Sequence, residues 1–375
     1  MSEDLYRRLA AHLDDLPGGY PPTPTGVELR ILKRLFTPEE AELALHLTVI
    51  PEEARVIARR AGIPPDEASR RLAEMARRGL VFAIHRKGRE PLYMAAQFVI
   101  GIWEYHVDDL DPDLVRDVNE YIPYLFDPDV WRKAPQLRTI PVGRSIPVEH
   151  AVMDYERAEH LVRSQKRILV APCICRREHR IAGKGCDAPE ETCLIFGVAA
   201  TYYEQRGVGR VISADEAVEI LHLAEETGLV LQPSNSQRAV NICCCCGCCC
   251  QVLKCIARAP RPGEVVSSPF RAVLDADACV GCGRCAERCQ MGALEVVDGA
   301  ARLDRDRCIG CGLCVPTCGP GALRLERRSD APGVPPTMAH AAYRLARVRG
   351  KLGPARLALL ALRSKLDRLL ALREI

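Results

Sequence analysis

This sequence is poor in the features that mark membrane proteins and secreted proteins. Aromatic residues make up only 5% of its 375 residues, and no apolar run reaches the roughly 20 residues that a membrane-spanning helix needs. Residues 1–16 lack the apolar segment of a secretion signal and contain Glu3, Asp4, Asp14 and Asp15 instead. We therefore expect a cytoplasmic protein with several domains.

A strong excess of charge is also absent. The net charge of +3 is too small to indicate nucleic acid binding by itself. Residues 331–375 contain nine Lys or Arg and two acidic residues, so the basic charge is concentrated in the tail.

Cysteine, in contrast, is abundant, with 20 residues in the chain. In a cytoplasmic protein this number indicates metal binding and not disulfides. Eight of the cysteines belong to a 29-residue unit that occurs twice, because Cys279, Cys282, Cys285 and Cys289 are repeated at Cys308, Cys311, Cys314 and Cys318. Each half reads C-x-x-C-x-x-C-x-x-x-C, the spacing that holds a [4Fe-4S] cluster with three thiolates and sends the fourth to another cluster. Zinc sites instead use C-x-x-C pairs with longer gaps.

This segment resembles the bacterial two-[4Fe-4S] ferredoxins. The resemblance implies crossed ligation, with one cluster on Cys279, Cys282, Cys285 and Cys318 and the other on Cys308, Cys311, Cys314 and Cys289. Chain curling around a cluster requires positive φ, which predicts that role for Gly281, Gly283, Gly310 and Gly312. One departure is that Gln290 follows Cys289 where the family has Pro.

Twelve further cysteines lie between residues 173 and 255. The sequence predicts a strand at 168–171 before Cys173, a helix capped by Ser213, and a strand that leads into the run Cys243 to Cys250. Because adjacent side chains of an extended chain point in opposite directions, the run must serve two centres or leave thiols free. We predict a third [4Fe-4S] cluster on Cys173, Cys175, Cys186 and Cys193, and a further centre on Cys245, Cys246, Cys249 and Cys250. Zinc stays open as the alternative.

Residues 26–98 resemble the winged-helix fold. A helix at 27–36, a capping box at Thr37, a helix from Asp66 to Gly79 and two strands around Lys87 carry the resemblance. The resemblance implies either DNA binding or a docking module. Arg70, Arg71, Arg77, Arg78, Lys87 and Arg89 are the candidate DNA contacts, but Asp66, Glu67 and Glu74 leave the helix nearly neutral, so DNA is a possible but disfavoured partner.

The remaining segments connect these modules. Residues 99–167 are rich in proline, which predicts loops and extended stretches up to a helix at 152–163. The tail alternates Leu with Arg and Lys, as in Leu359, Leu362, Leu366 and Leu369, and predicts an amphipathic helix for a partner protein, the chain itself or an anionic membrane surface.

The predicted architecture is a multidomain α+β protein. It consists of an N-terminal helix and linker (1–25), a winged-helix-like domain (26–98), a connector (99–167), a Cys-rich α/β middle domain (168–258), a two-[4Fe-4S] ferredoxin domain (264–328) and a basic amphipathic helical tail (338–375). The sequence predicts an iron-sulfur protein that relays single electrons to a partner oxidoreductase or flavoprotein, as a carrier or subunit and not as a stand-alone enzyme. The alternative is a redox-sensing DNA-binding regulator.

Overall fold

The computed structural model describes residues 2–146 and 153–372, which combine helices and strands along the whole chain. The helices are α1 (Ser2–Asp14), α2 (Val27–Leu35), α3 (Pro38–Ala44), α4 (Ala54–Ala61), α5 (Pro65–Arg77), α6 (Trp103–Tyr105), α7 (Pro112–Leu125), α8 (Pro128–Lys133), α9 (Ala158–Arg163), α10 (Ile174–Ile181), α11 (Gly197–Gln205), α12 (Ala214–Glu226), α13 (Gln251–Ala257), α14 (Pro262–Val265), α15 (Arg284–Arg288), α16 (Met338–Val348) and α17 (Pro354–Ala371). The strands are β1 (Glu52–Glu53), β2 (Val81–Arg86), β3 (Arg89–Ala95), β4 (Ile168–Pro172), β5 (Glu191–Phe196), β6 (Arg210–Ile212), β7 (Val230–Pro233), β8 (Asn241–Cys245), β9 (Phe270–Leu274), β10 (Leu294–Val297), β11 (Ala300–Leu303) and β12 (Leu323–Arg327).

The chain forms two compact units. The first contains the described residues of 1–125, 198–208 and 342–375, and the second contains those of 126–197 and 209–341. The domain boundaries expected from the sequence stay predictions.

The first unit begins with the helices that the sequence predicts. Thr37 caps α3 by accepting a hydrogen bond from the Glu40 backbone N–H, and the Glu40 carboxylate accepts one from the Thr37 N–H. α4 ends at Gly62, which has a φ of 67°. α5 buries Ala68, Leu72, Met75 and Ala76 on one face. The strands β2 and β3 form an antiparallel hairpin, and β1 adds to β3. The resemblance to a winged helix stays a prediction.

The connector contains a long helix that the sequence analysis missed. α7 runs for 14 residues and buries Leu114, Val115, Val118 and Tyr121 on one side. Pro112 starts this helix, where a missing N–H costs nothing. Pro123 lies inside the helix and removes one i→i−4 hydrogen bond, and the helix ends two residues later at Leu125. The predicted helix at 152–163 begins outside the described residues, and α9 covers its second half.

The tail folds as two helices that are separated near Gly350, which has a φ of 70°. α17 packs on α4 through a buried ionic network, in which the Arg60 guanidinium donates to the carboxylates of Glu52 and Asp367. The Ser364 hydroxyl donates to Glu52 at 2.6 Å. The side chains of Leu359, Leu362, Leu366 and Leu369 lie on the other side of α17 and are more than half exposed. Within the described residues, no helix is both long enough and apolar enough to span a membrane.

The second unit is built on a five-stranded sheet with the order β6-β4-β5-β8-β7. Every neighbouring pair is antiparallel, so the sheet differs from the α/β arrangement that the sequence suggested for this region. One face carries Val170, Leu194, Phe196 and Ile242, which join the apolar sides of α9 and α12 in a buried core. Met291, Ile309 and Leu313 of the repeated segment belong to the same core, so the sheet and the repeats form one folded body.

Intramolecular ion pairs engage three of the six candidate DNA contacts. Arg71 pairs with Glu67, Arg77 with Glu74, and Arg78 with Glu40. We predict that the chain binds duplex DNA weakly and that binding disappears by physiological salt, because half of the candidate cations are already paired with acids and α5 is nearly neutral. Fluorescence anisotropy across a salt series measures this. Glu67→Gln with Glu74→Gln should strengthen binding at low salt, whereas a tight, sequence-selective complex of the unmodified chain at physiological salt would contradict the prediction.

Candidate metal centres

The two 29-residue repeats pair with each other in a crossed manner. β9 of the first repeat pairs with β12 at the end of the second, and β10 pairs with β11 between them. The register matches the repeat, because Leu274 lies opposite Leu323 and Leu303 lies opposite Leu294. Leu303 lies 29 residues after Leu274, and Leu323 lies 29 residues after Leu294. The two halves are therefore related by an approximate two-fold arrangement.

Glycine permits the close approach of the two halves. Gly281 and Gly310 have φ of 67° and 70°, and Gly283 and Gly312 are also in the left-handed region, as predicted. A Cβ atom at Gly281 would overlap with the Gly299 carbonyl, and a Cβ atom at Gly310 would overlap with the Phe270 carbonyl. These two contacts are equivalent under the repeat, so each loop is held against the opposite half.

Backbone amides of one half donate to thiols of the other. The Ala301 N–H lies 3.3 Å from the Cys279 sulfur, and the Ala272 N–H lies 3.4 Å from the Cys308 sulfur. These bonds again differ by 29 residues at both ends. Amide donors of this kind stabilise the negative charge of thiolates and of the clusters that thiolates bind.

The first thiol set surrounds one cavity. Cys279, Cys282 and Cys285 line it with Cys318, which comes from the second repeat. Apolar side chains of Leu274 and Leu323, the pair at the start of the β9·β12 ladder, complete the wall. Cys282 is exposed, so this site reaches the surface. The structure thus brings together the four cysteines that the ferredoxin resemblance groups.

The second thiol set combines Cys308, Cys311 and Cys314 with Cys289 of the first repeat. Burial, and less strongly the neighbouring Cys289 thiol, raise the pKa of Cys311 to about 12. Burial, and then the neighbouring thiols of Cys311, Cys308 and Cys289, also raise the pKa of Cys314. Cys289 therefore lies beside the three thiols of the other half, although the assignment of ligands to two separate clusters stays a prediction.

Three cysteines of the middle sheet share one face of its strands, and three others join them from the starts of α10 and α13. Cys193 of β5 lies directly across from Cys243 of β8, and Cys245 follows on the same face because strand side chains alternate. A hydrogen bond between the Cys193 and Cys243 thiols, with burial, raises the pKa of Cys243. The Cys245 thiol likewise contacts the thiols of Cys243 and Cys250, and the Cys250 thiol also contacts that of Cys175. We call the full set the sheet thiols: Cys173, Cys175, Cys193, Cys243, Cys245 and Cys250.

Polar side chains of the sheet point toward these thiols. The Asn241 amide lies 3.4 Å from the Cys243 sulfur, and the Gln232 amide lies 3.8 Å from the Cys250 sulfur. Gln232 and Asn241 are both buried. Such donors orient and stabilise thiolates that bind a metal cluster.

A buried arginine supplies positive charge to the same region. The Arg176 guanidinium donates to the carbonyl oxygens of Pro189 and Cys244, each at 2.7 Å, and to the Thr192 hydroxyl at 2.5 Å. Burial opposes ionisation of the Cys246 thiol, but the charge of Arg176 and hydrogen bonds from the Cys249 backbone N–H and the Cys248 thiol together lower the pKa of Cys246 to about 7. Arg176 was missed in the sequence, where an Arg after a C-x-C pair gives no sign of burial.

Four other thiols form a tighter group, which we call the turn quartet: Cys186, Cys246, Cys248 and Cys249. The Cys186 sulfur lies 3.8 Å from that of Cys246 and 3.6 Å from that of Cys249, and the sulfurs of Cys248 and Cys249 are 3.8 Å apart. The structure thus places Cys186 with the Cys run, whereas the sequence analysis placed it with Cys173, Cys175 and Cys193. It also divides the set of Cys245, Cys246, Cys249 and Cys250, since Cys245 and Cys250 contact the sheet thiols.

The change of backbone shape within the Cys run explains this division. β8 ends at Cys245, and the Cys250 N–H donates to the Cys246 carbonyl at 3.1 Å, which closes a turn. The alternation expected for an extended chain therefore holds only up to Cys245. Beyond it, the turn lets adjacent thiols face one point.

Gln290 connects this turn to the repeated segment. Its side-chain oxygen accepts a hydrogen bond from the Gly247 N–H at 2.6 Å, and its amide donates to the Gly228 carbonyl at 2.8 Å. A Cβ atom at Gly247 would overlap with the Gln290 carbonyl. The departure from Pro after Cys289 therefore has a structural reason, because Pro could make neither side-chain bond.

Comparison with known proteins identifies the repeated segment. Residues 271–319 match the family described as a 4Fe-4S dicluster domain. No curated protein and no solved structure matches the chain. The match supports binding of [4Fe-4S] clusters by residues 271–319 and leaves the other modules without an assigned family.

The crossed arrangement predicts the effect of removing Cys318. Cys318→Ser should disturb the cluster on Cys279, Cys282 and Cys285, because Cys318 lines their cavity. Cys289→Ser, its equivalent in the repeat, should instead disturb the cluster on Cys308, Cys311 and Cys314. EPR spectra of the two reduced variants distinguish these outcomes, and loss of the sequence-adjacent cluster in either variant would contradict crossed ligation.

The close approaches at Gly281 and Gly310 predict a matched set of glycine variants. Gly281→Ala and Gly310→Ala should each reduce the iron content and destabilise the folded chain by more than about 2 kcal/mol, because both add steric overlap at positive φ. Gly319→Ala is the control, since its Cβ atom would meet nothing within 4 Å. Iron analysis and urea denaturation measure the effects. Equal iron content and stability in all three variants would contradict the observed packing.

Proposed function

We propose that this protein transfers single electrons through iron-sulfur clusters to a partner oxidoreductase. The observation that carries the proposal is the crossed thiol arrangement, in which each repeat supplies one cysteine to the site of the other. Two [4Fe-4S] clusters held in this way share one folded body, so an electron can move between them without any large conformational change.

The exposure of the two sites suggests a direction for transfer. The site around Cys282 reaches the surface, and the neighbouring Val280 side chain is 67% exposed. At the other site, Cys289 and Cys311 pack against the core of the five-stranded sheet, which includes buried Ile309 and Leu313. We propose that a partner protein exchanges electrons at the exposed site, and that the buried site communicates with the thiol-rich sheet.

The sheet thiols are the proposed site of a third cluster. The set contains three of the four ligands predicted from the sequence, which are Cys173, Cys175 and Cys193. It also contains Cys243, Cys245 and Cys250. These six thiols are distributed over β5, β8 and the first residues of α10 and α13. A spread set suits a cluster of several irons, because each thiolate then binds a different iron.

Gln290 supports communication between the buried site and the sheet. It follows Cys289 directly and is hydrogen-bonded to Gly247 of the Cys run. The segment from Ser268 to Glu326 has seven Arg and eight acidic residues. A nearly neutral surface fits a module that receives electrons from fixed neighbours better than a carrier that uses charge to attract many partners.

The alternative function, a redox-sensing regulator, requires clusters of a different stability. A sensor depends on a cluster that is lost or converted readily, whereas a carrier must survive repeated reduction and oxidation. The ion pairs of Arg71, Arg77 and Arg78 also favour the carrier over a DNA-binding regulator.

Reductive titration of the anaerobically purified chain tests the proposal. We expect at least about eight irons per chain and reversible uptake of at least two electrons, with no loss of iron over repeated cycles. A different result would be the loss of one cluster in the first oxidation together with a change in DNA binding. That result would support a regulatory function and contradict electron transfer.

A further inference from the structure

We propose that the turn quartet binds one zinc ion, at a site separate from every iron-sulfur cluster of the protein. The four thiols are Cys186, Cys246, Cys248 and Cys249. The site would be structural and would not exchange electrons, because Zn²⁺ has no redox chemistry in proteins.

The separation of the sulfur atoms carries this inference. Zinc–thiolate bonds of about 2.3 Å in a tetrahedron place neighbouring sulfurs about 3.8 Å apart. The three separations between quartet sulfurs are 3.6, 3.8 and 3.8 Å. All four sulfurs lie within 4.8 Å of one another. Three of the six sulfur–sulfur separations therefore match a tetrahedron around a single ion.

The ferredoxin-like segment provides an internal comparison. Thiolates of a [4Fe-4S] cluster each bind a different iron, so their sulfurs must stand further apart than ligands of one ion. Across residues 2–146 and 153–372, the turn quartet is the one group of three or more Cys, His, Asp or Glu side chains with all ligating atoms within 4.8 Å. Among the eight cysteines of the repeats, no three sulfur atoms all lie within 4.8 Å of one another. The same chain thus contains two kinds of thiol site, an open kind and a compact kind.

The backbone holds the quartet in this compact form. The hydrogen bond from the Cys250 N–H to the Cys246 carbonyl closes the turn that contains Cys248 and Cys249. Cys186 comes from the loop between α10 and β5, about 60 residues earlier in the chain. An ion on the quartet would join this loop to the turn after β8, next to the Gly247 contact with Gln290.

Burial of the four thiols also fits a structural ion. Cys246 and Cys249 are buried, Cys186 is half-buried and Cys248 is exposed. Metal can therefore enter from the side of Cys248, while the other three thiols shield the ion. Four thiolates favour zinc over hard cations, and binding would release the protons of the thiols that are not already ionised.

Metal analysis of the full-length chain tests the site. We expect one zinc per chain beside the iron of the clusters, with four sulfur ligands at about 2.3 Å in zinc X-ray absorption spectra. Cys248→Ser should lower the zinc content by about tenfold or more after dialysis against a chelator and should leave the iron and sulfide contents unchanged. Because Cys248 is exposed, this substitution should not prevent folding.

A control variant and a cobalt substitution accompany this measurement. Cys255→Ala changes a cysteine of the same region outside the quartet and should alter neither metal. Cobalt added in place of zinc should give the visible absorption of a tetrahedral thiolate site in the unmodified chain and not in Cys248→Ser. Loss of one iron or of four irons from Cys248→Ser, with no change in zinc, would overturn the proposal. The ferredoxin-like clusters, and with them the proposed function, would be unaffected by that result.

Discussion

The crossed pairing of the two repeats brings together the cysteines of the ferredoxin-like segment. β9 pairs with β12 and β10 with β11, so each cysteine loop closes against the half to which it does not belong. Gly281 and Gly310 allow this contact, and the amides of Ala301 and Ala272 donate across it. The same pairing carries Cys318 and Cys289 to opposite sites. Without it, neither set of three thiols would have a fourth.

Much of this segment could be predicted from the sequence, because the information is local and repeated. The cysteine spacing and the four glycines specify loops that curl around a cluster, and the structure has positive φ at all four glycines. The capping box at Thr37 and the buried face of α5 are equally local. The prolines of this region predict loops, but α7 forms because Pro112 only starts it and Pro123 lies two residues before its end.

The middle region could not be predicted in the same way, because its thiols are grouped by long-range contacts. Cys193 and Cys243 meet only through the pairing of β5 with β8, and Cys186 reaches the Cys run across a loop. The backbone also changes from strand to turn after Cys245, which no alternation pattern reveals. Gln290 was noticed as a departure from the ferredoxin pattern, but its partner Gly247 lies 43 residues away in the chain.

We propose that the crossed thiols of residues 271–319 hold two [4Fe-4S] clusters in a body shared with the thiol-rich sheet. Mössbauer spectroscopy of the chain enriched in ⁵⁷Fe and purified without oxygen tests it most directly, since every iron contributes to the spectrum. We expect about eight irons per chain or more, in thiolate-bound [4Fe-4S] environments. A spectrum of isolated ferric or ferrous ions, or a total near four irons, would contradict it.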